Sequence, residues 1–349
     1  MSWARIVGHP HLIDSFRDIV RRGRLAHAYL FVGRDGVGKN AFAHELAKAL
    51  LCEKANADLE ACDACAACRL MDAGTHPDFF AVRRPEEKNV VPIGVMRELC
   101  ANFGLKTARG KGKVAILVDA DDLEAEAANC FLKTLEEPPP RSTFILIGSS
   151  PDLQLATIRS RSQVVRFAPL SDAEVDEVLR RNGVEEAALR RRLVRAGQGS
   201  PGQALALAEA ELWEFRRRFI LDFTKPRPDG AKLAKALIQT VEDAGKEASV
   251  QRKKAGVLLD LLVSAWTDAL RRAVGEAARG AESDELAALE ALARRAGPEK
   301  LMDLLERWLE AEKQIGFYLQ IGLVLEGVVE ASIRILEENP TSAPVSAGK

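Results

Sequence analysis

Residues 33–40, Gly-Arg-Asp-Gly-Val-Gly-Lys-Asn, follow the apolar run 28–32 and precede a segment of helical periodicity. Strand, glycine-rich turn and helix, in that order, are the context of a phosphate-binding loop of pattern G-x-x-x-x-G-K-[ST]. No other feature constrains the fold as tightly. The last position departs from the pattern, because Asn40 stands where a hydroxyl belongs. Gly33, Gly36, Gly38 and Lys39 can still cradle the phosphates of ATP or ADP, through the backbone N–H groups of residues 36–40, the helix N-terminus and the lysine charge. The hydroxyl that would hold Mg²⁺ is gone. The amide oxygen of Asn40 is badly placed for tight octahedral geometry. A ligand-free glycine-rich turn is the alternative. Either way, an independently working motor is not expected.

The rest of the first half supports an α/β sheet. Apolar runs at 79–82, 114–118, 144–148 and 164–167 read as strands, and 41–51, 95–103 and 122–137 read as helices. Strands alternating with helices indicate a parallel sheet covered on both faces. The run 114–118 ends in Asp119, where a nucleotide hydrolase places its metal-shell carboxylate. The residue that should be the water-polarising Glu is Ala120, and Asp121 and Asp122 lie out of register. Past Pro169 the chain changes character. Ser171 and Glu174 form a capping box, small helices follow to about 210, and 211–338 is almost wholly helical, with loops at 225–230 and at Gly297-Pro298. The tail 339–349 is small and polar and reads as disordered. The expected organisation is α/β plus all-α. A P-loop domain at 1–168 carries an insert at 52–68, a small helical domain spans 169–210, and a helical domain spans 211–338.

Four of the six cysteines, Cys52, Cys62, Cys65 and Cys68, crowd into that insert. Four thiolates at this spacing can close a tetrahedral Zn²⁺ site with no open position for water, hence a structural one. Four reduced thiols in a small helical insert are the alternative. His76 reads as a turn residue, and Cys100 and Cys130 as small buried hydrophobes. Arg161, in Arg-Ser-Arg-Ser at 159–162, can reach a neighbour's γ-phosphate or lie in a surface ion pair. With 349 residues, 47% of them hydrophobic, the chain can bury a large core. A net charge of -1 argues against retention on nucleic acid by bulk electrostatics. No run of about eighteen apolar residues is present, and no signal-peptide core follows Met1, so a cytoplasmic location is expected.

These pieces together resemble the AAA+ subunits of the bacterial replicative clamp loader. The most specific element is Ala-Ala-Asn-Cys-Phe-Leu-Lys-Thr-Leu-Glu-Glu-Pro-Pro at 127–139, similar to the family's Asn-x-x-Leu-Lys-x-Leu-Glu-Glu-Pro signature. Leu-Ala-His-Ala-Tyr-Leu-Phe at 25–31, Thr-His-Pro-Asp at 75–78 and the four-cysteine module match as well. Arg161 fits the arginine of the family's Ser-Arg-Cys motif, with Ser162 in place of the cysteine. The resemblance implies a lid at 169–210 and an oligomer-forming collar at 211–338. It implies partners too: gamma/tau and delta subunits in a hetero-pentameric ring and, through the ring, a sliding clamp and primer–template DNA. Asn40, Ala120 and Gly202 (where motor subunits carry a nucleotide-sensing Arg) all depart from the motor pattern, whereas Lys39 and Arg161 remain. That combination resembles the family's stator, an accessory subunit of a DNA polymerase holoenzyme without ATPase of its own, which lends Arg161 in trans. An ATP-hydrolysing gamma/tau-like subunit and a zinc-stabilised DNA-binding module are the alternatives.

Overall fold

A computed structural model describes residues 2–54, 58–85, 88, 90–278, 283–316 and 319–337; the expected disordered tail lies outside them. The chain divides into two compact units, Met1–Leu205 and Ala206–Lys349.

The first unit is built on a five-stranded parallel sheet in the order β2-β3-β4-β1-β5, comprising β1 (Ala28–Val32), β2 (Phe79–Val82), β3 (Lys113–Leu117), β4 (Ser142–Gly148) and β5 (Gln163–Arg166). Every residue of β1, β3 and β4 is buried, which is why these strands read as unbroken apolar runs rather than alternating ones. The helices are α1 (Pro10–Arg21), α2 (Lys39–Leu51), α3 (Ala66–Asp72), α4 (Ile93–Gly104), α5 (Ala125–Glu136), α6 (Ala156–Arg159), α7 (Asp172–Arg181), α8 (Ala187–Gly197) and α9 (Pro201–Ala206). Phe103, Phe131 and Phe144 interlock in the central core, with Phe131 edge-on to Phe144 at 5.0 Å. The architecture is a P-loop AAA+ module, with the strand ends of β1, β3 and β4 carrying the sequence motifs.

One helix starts later than expected. In place of a helix from 122, residues Ala120–Asp122 form a single 3-10 turn, and α5 begins at Ala125. Asp119 adopts a left-handed conformation (φ 58°) that no helix continues through. Val91 then draws residues 122–124 into a bridge, its N–H donating to Asp122 O at 2.8 Å. α5 stops at Pro138, which cannot donate the next helical bond. Cys100 and Cys130 are half-buried rather than buried, since α4 and α5 turn those positions towards the edge of the core.

The second unit is helical: α10 (Ala210–Phe223), α11 (Gly230–Glu242), α12 (Ala248–Ala273), α13 (Ser283–Gly316) and α14 (Ile321–Glu337). Its core centres on Trp266 and Trp308, ring centroids 5.8 Å apart, and the Trp308 indole donates to Ser332 Oγ at 2.8 Å. At the expected break, Gly297-Pro298, the chain leaves helical geometry (Gly297 φ 74°, ψ 170°), so that α13 is two helices meeting at a kink. Leu309 and Leu323 fall at helical spacing with the apolar residues of α13 and α14, yet both are exposed, while Leu301, Leu304, Leu325 and Val328 fill the core.

Candidate functional site

β1 delivers the chain into the glycine-rich loop, and Gly38 (φ 100°) caps α2, so that Lys39 is its first helical residue. The loop is closed on itself. The Lys39 ammonium donates to Gly33 O, to Arg34 O at 3.0 Å and to Asp35 Oδ1 at 3.2 Å, and the side chain is only 5% exposed. An ammonium has three protons, and all three are committed inside the loop. Asn40 is exposed on the first turn of α2 and makes no side-chain hydrogen bond among the described residues.

A second seal comes from 165 residues downstream. Ser200 Oγ donates to Asp35 O at 2.7 Å, and Gly202 N donates to Gly36 O at 3.0 Å. A Cβ built on Gly202 falls 2.6 Å from Gly36 Cα, so only glycine permits this approach. The missing arginine at 202 thus has a positive structural counterpart: a backbone-to-backbone clamp between the loop and the start of α9. Val37 O is also engaged, accepting from His9 Nε2 at 3.0 Å.

At the end of β3, Asp119 is half-buried. Burial raises its carboxyl above the ordinary range, with Arg84 and Arg83 opposing. Asp122 is raised by burial too, and pairs with Arg84 at 3.0 Å. Asp121 has a role that spacing could not reveal. Its carboxylate accepts from Ser149 N and Ser149 Oγ, both at 2.6 Å, and from Gln154 Nε2. It pins the segment leaving β4. The partners lie 28 and 33 residues away, and the only trace in the sequence is Gly148, where a Cβ would strike the Asp121 carboxylate.

Cys52, Cys62, Cys65 and Cys68 converge with all four sulfurs within 4.8 Å of one another. A tetrahedral site with Zn–S of about 2.3 Å has S···S edges of about 3.8 Å, so the cluster fits a metal of that size with small adjustments. Cys52 ends α2, and Cys65 caps α3, its sulfur accepting from Cys68 N at 3.4 Å. N–H groups of Cys62 and Cys65 point at Cys52 and Cys62 sulfurs at 3.4 and 3.3 Å. Backbone N–H donors from Ala64 and Cys65 lower the Cys62 thiol to about 6. Burial works against the Cys65 thiolate, but N–H donors from Cys68 and Glu53 outweigh it and hold the thiol below its ordinary value. Burial pushes Cys52 and Cys68 up. A cation among the sulfurs would relieve that penalty. Beside the cluster Lys48 of α2, 3% exposed, bonds Asp63 and Asp72 at 2.7 Å, and Arg5 joins Glu45 and Asp72 at 3.4 and 3.5 Å. His76 is outside the cluster. Its Nδ1 accepts from Asp78 N at 3.1 Å, as a turn residue would.

Arg161 follows α6. Its guanidinium donates to Thr157 O at 3.1 Å, Ser160 Oγ at 3.3 Å and Glu136 Oε1 at 2.6 Å, and to nothing in the phosphate loop.

A parallel sheet whose first strand runs into a glycine-rich loop, with the loop's own lysine folded back on it and Gly202 against it, defines a P-loop module of AAA+ type. Residues 8–171 match the family model described as "DNA polymerase III, delta subunit", and residues 231–325 match "DNA polymerase III, delta subunit, C terminal". The DNA polymerase III subunit delta' of Escherichia coli (strain K12) is 31% identical over 302 residues, 85% of this chain and 86% of that protein. The delta' subunit of Bacillus subtilis (strain 168) is 27% identical over 94% of this chain and 96% of its own length. Subunit tau of Escherichia coli (strain K12) is 31% identical over 213 residues, 60% of this chain but 32% of tau. The chain belongs to the DNA polymerase III delta' subunit family. No helix among the described residues is long and apolar enough to cross a membrane.

Proposed function

We propose that this chain serves as the stator of a clamp loader. It would help place a sliding clamp on primed DNA, with gamma/tau and delta subunits as ring partners, and act in the cytoplasm. Its P-loop domain at 1–168 and lid at 169–210 form a stiff body, and the helical domain at 211–338 serves as the collar that joins the ring. The observation that carries this is the approach of Gly202 to the loop: a Cβ there would stand 2.6 Å from Gly36 Cα, so position 202 cannot carry a side chain that senses nucleotide. Gly33, Gly36, Gly38, Lys39, Asn40 and Asp119 form the frame of a degenerate nucleotide site that does not cleave ATP. Cys52, Cys62, Cys65 and Cys68 hold one structural Zn²⁺. Arg161 acts as an arginine finger on ATP held by the adjacent motor subunit, where such a group is worth on the order of 10³ to 10⁵ in rate.

The test is a loader reconstituted with Arg161→Ala. DNA-stimulated ATP turnover should fall to what the sites not served by Arg161 deliver, and the purified chain alone should show no Mg²⁺-dependent turnover. Unchanged turnover in the variant ring rules out the trans role. Turnover by the lone chain that Lys39→Ala abolishes would establish the gamma/tau-like alternative instead.

A further inference from the structure

Glu136 sits where helix electrostatics disfavours it. It is the last residue of α5, at the negative end of the helix dipole, and Glu137 follows directly. A carboxylate placed against its local environment points to a task elsewhere. Its partner is Arg161, at 2.6 Å, across 25 residues of sequence. Both ends of this contact are firmly mounted. Phe131 and Leu135 of α5 and Ile158 of α6 share one buried core cluster, and Pro138 fixes the end of α5 just beyond Glu136. The end of α5 and the turn that follows α6 therefore present a carboxylate and a guanidinium to each other, the side chains being 50% and 34% exposed.

The donor count shows what the contact leaves over. A guanidinium has five N–H donors. Two on Nη1 go to Thr157 O and Ser160 Oγ, and one on Nη2 goes to Glu136. The Nε–H and the second Nη2–H have no acceptor among the described residues. Three anchors fix the plane of the group, and two donors remain for an anion of phosphate type. An unanchored arginine would have to freeze its long side chain at each encounter.

We propose that Glu136 is a positioning residue for the arginine finger: it orients the Arg161 guanidinium towards a neighbouring subunit's γ-phosphate. This rests on the trans role of Arg161 stated above. The test uses the reconstituted loader with primed DNA and ATP, and compares Glu136→Ala, Glu136→Gln, Arg161→Ala and the double variant. The turnover that disappears in Arg161→Ala defines the Arg161-dependent part. Glu136→Ala should reduce that part about twofold to fivefold, the limit for an exposed pair. The loss should fall on kcat, with KM for ATP and the melting temperature of the chain unchanged. Glu136→Gln, which keeps an acceptor oxygen at the same reach, should retain most of it. The double variant should match Arg161→Ala. Full Arg161-dependent turnover in Glu136→Ala, or a double variant slower than Arg161→Ala, overturns the positioning role while leaving the finger intact. No loss in Arg161→Ala itself overturns both.

Discussion

Replacing Gly202 by alanine places a methyl group 2.6 Å from Gly36 Cα, well inside van der Waals contact with backbone that has no flexible side chain to swing away. The strain is relieved only if the start of α9 moves off the loop. Two hydrogen bonds are lost with that movement, Gly202 N to Gly36 O and Ser200 Oγ to Asp35 O. At about 0.5–1.5 kcal/mol each, the loss is about 1–3 kcal/mol, and accommodating the methyl by overpacking instead costs about the same. Ala has a higher helix propensity than Gly, which returns at most about 1 kcal/mol. Urea unfolding followed by far-UV circular dichroism should show a lower midpoint at unchanged slope. Hydrogen exchange at Gly36 and Gly202 should speed up ahead of the sheet amides. A midpoint within about 0.5 kcal/mol of the parent, with both amides still protected, would mean the clamp is no more than a surface contact, and the closed-loop account would fall with it.

Three further outcomes follow from the same contacts. Zinc should be present at one ion per chain. Chelation or Cys65→Ser should unfold the 52–68 segment and lower thermal stability, by up to roughly 10 kcal/mol of apparent binding energy at neutral pH; metal analysis that finds none would reject the site. The capping box predicts an acid-side loss. Hydrogen bonds from Ser171 hold the Glu174 carboxyl below its ordinary value, so its contribution is fully present above the unfolded value and is lost as pH falls through the folded one. Ser171→Ala should cost about 1 kcal/mol at pH 7 and flatten that part of the pH–stability curve below about pH 5; parallel curves would contradict this. Phe131→Ala should cost about 3–5 kcal/mol in denaturant unfolding, because the ring is wholly buried against Phe144.

Much of the frame was legible because local rules acted alone there. β1 and β4 announced themselves as apolar runs buried on both faces, the Ser171–Glu174 box was read from two residues, and the four cysteines were recognisable by spacing. Legibility failed where a distant residue set the outcome. The late start of α5 depends on Asp119 turning left-handed and on Val91 bridging from 31 residues upstream. The bonds of Asp121 to Ser149 and Gln154, and of Ser200 and Gly202 to the loop, are likewise long-range pairings between residues that carry no pairing signal in one dimension. Leu309 and Leu323 show the converse limit, since periodicity marks an apolar face but not whether anything covers it.

The groups that depart from a motor's pattern share one physical consequence. Lys39 is a nearly buried cation, and Gly33, Arg34 and Asp35 supply its compensation from within the loop. Without a Glu at 120, the neighbouring Asp121 is free to bind the backbone that leaves β4. Without a side chain at 202, two backbones can touch. These contacts stiffen the first unit around the loop and the end of β4. α6, which follows the pinned segment and leads into Arg161, is mounted on that stiffened body. In the proposed stator, rigidity and the lack of turnover would have the same residues as their cause, so a substitution that reopened the loop for nucleotide should also loosen the support of Arg161.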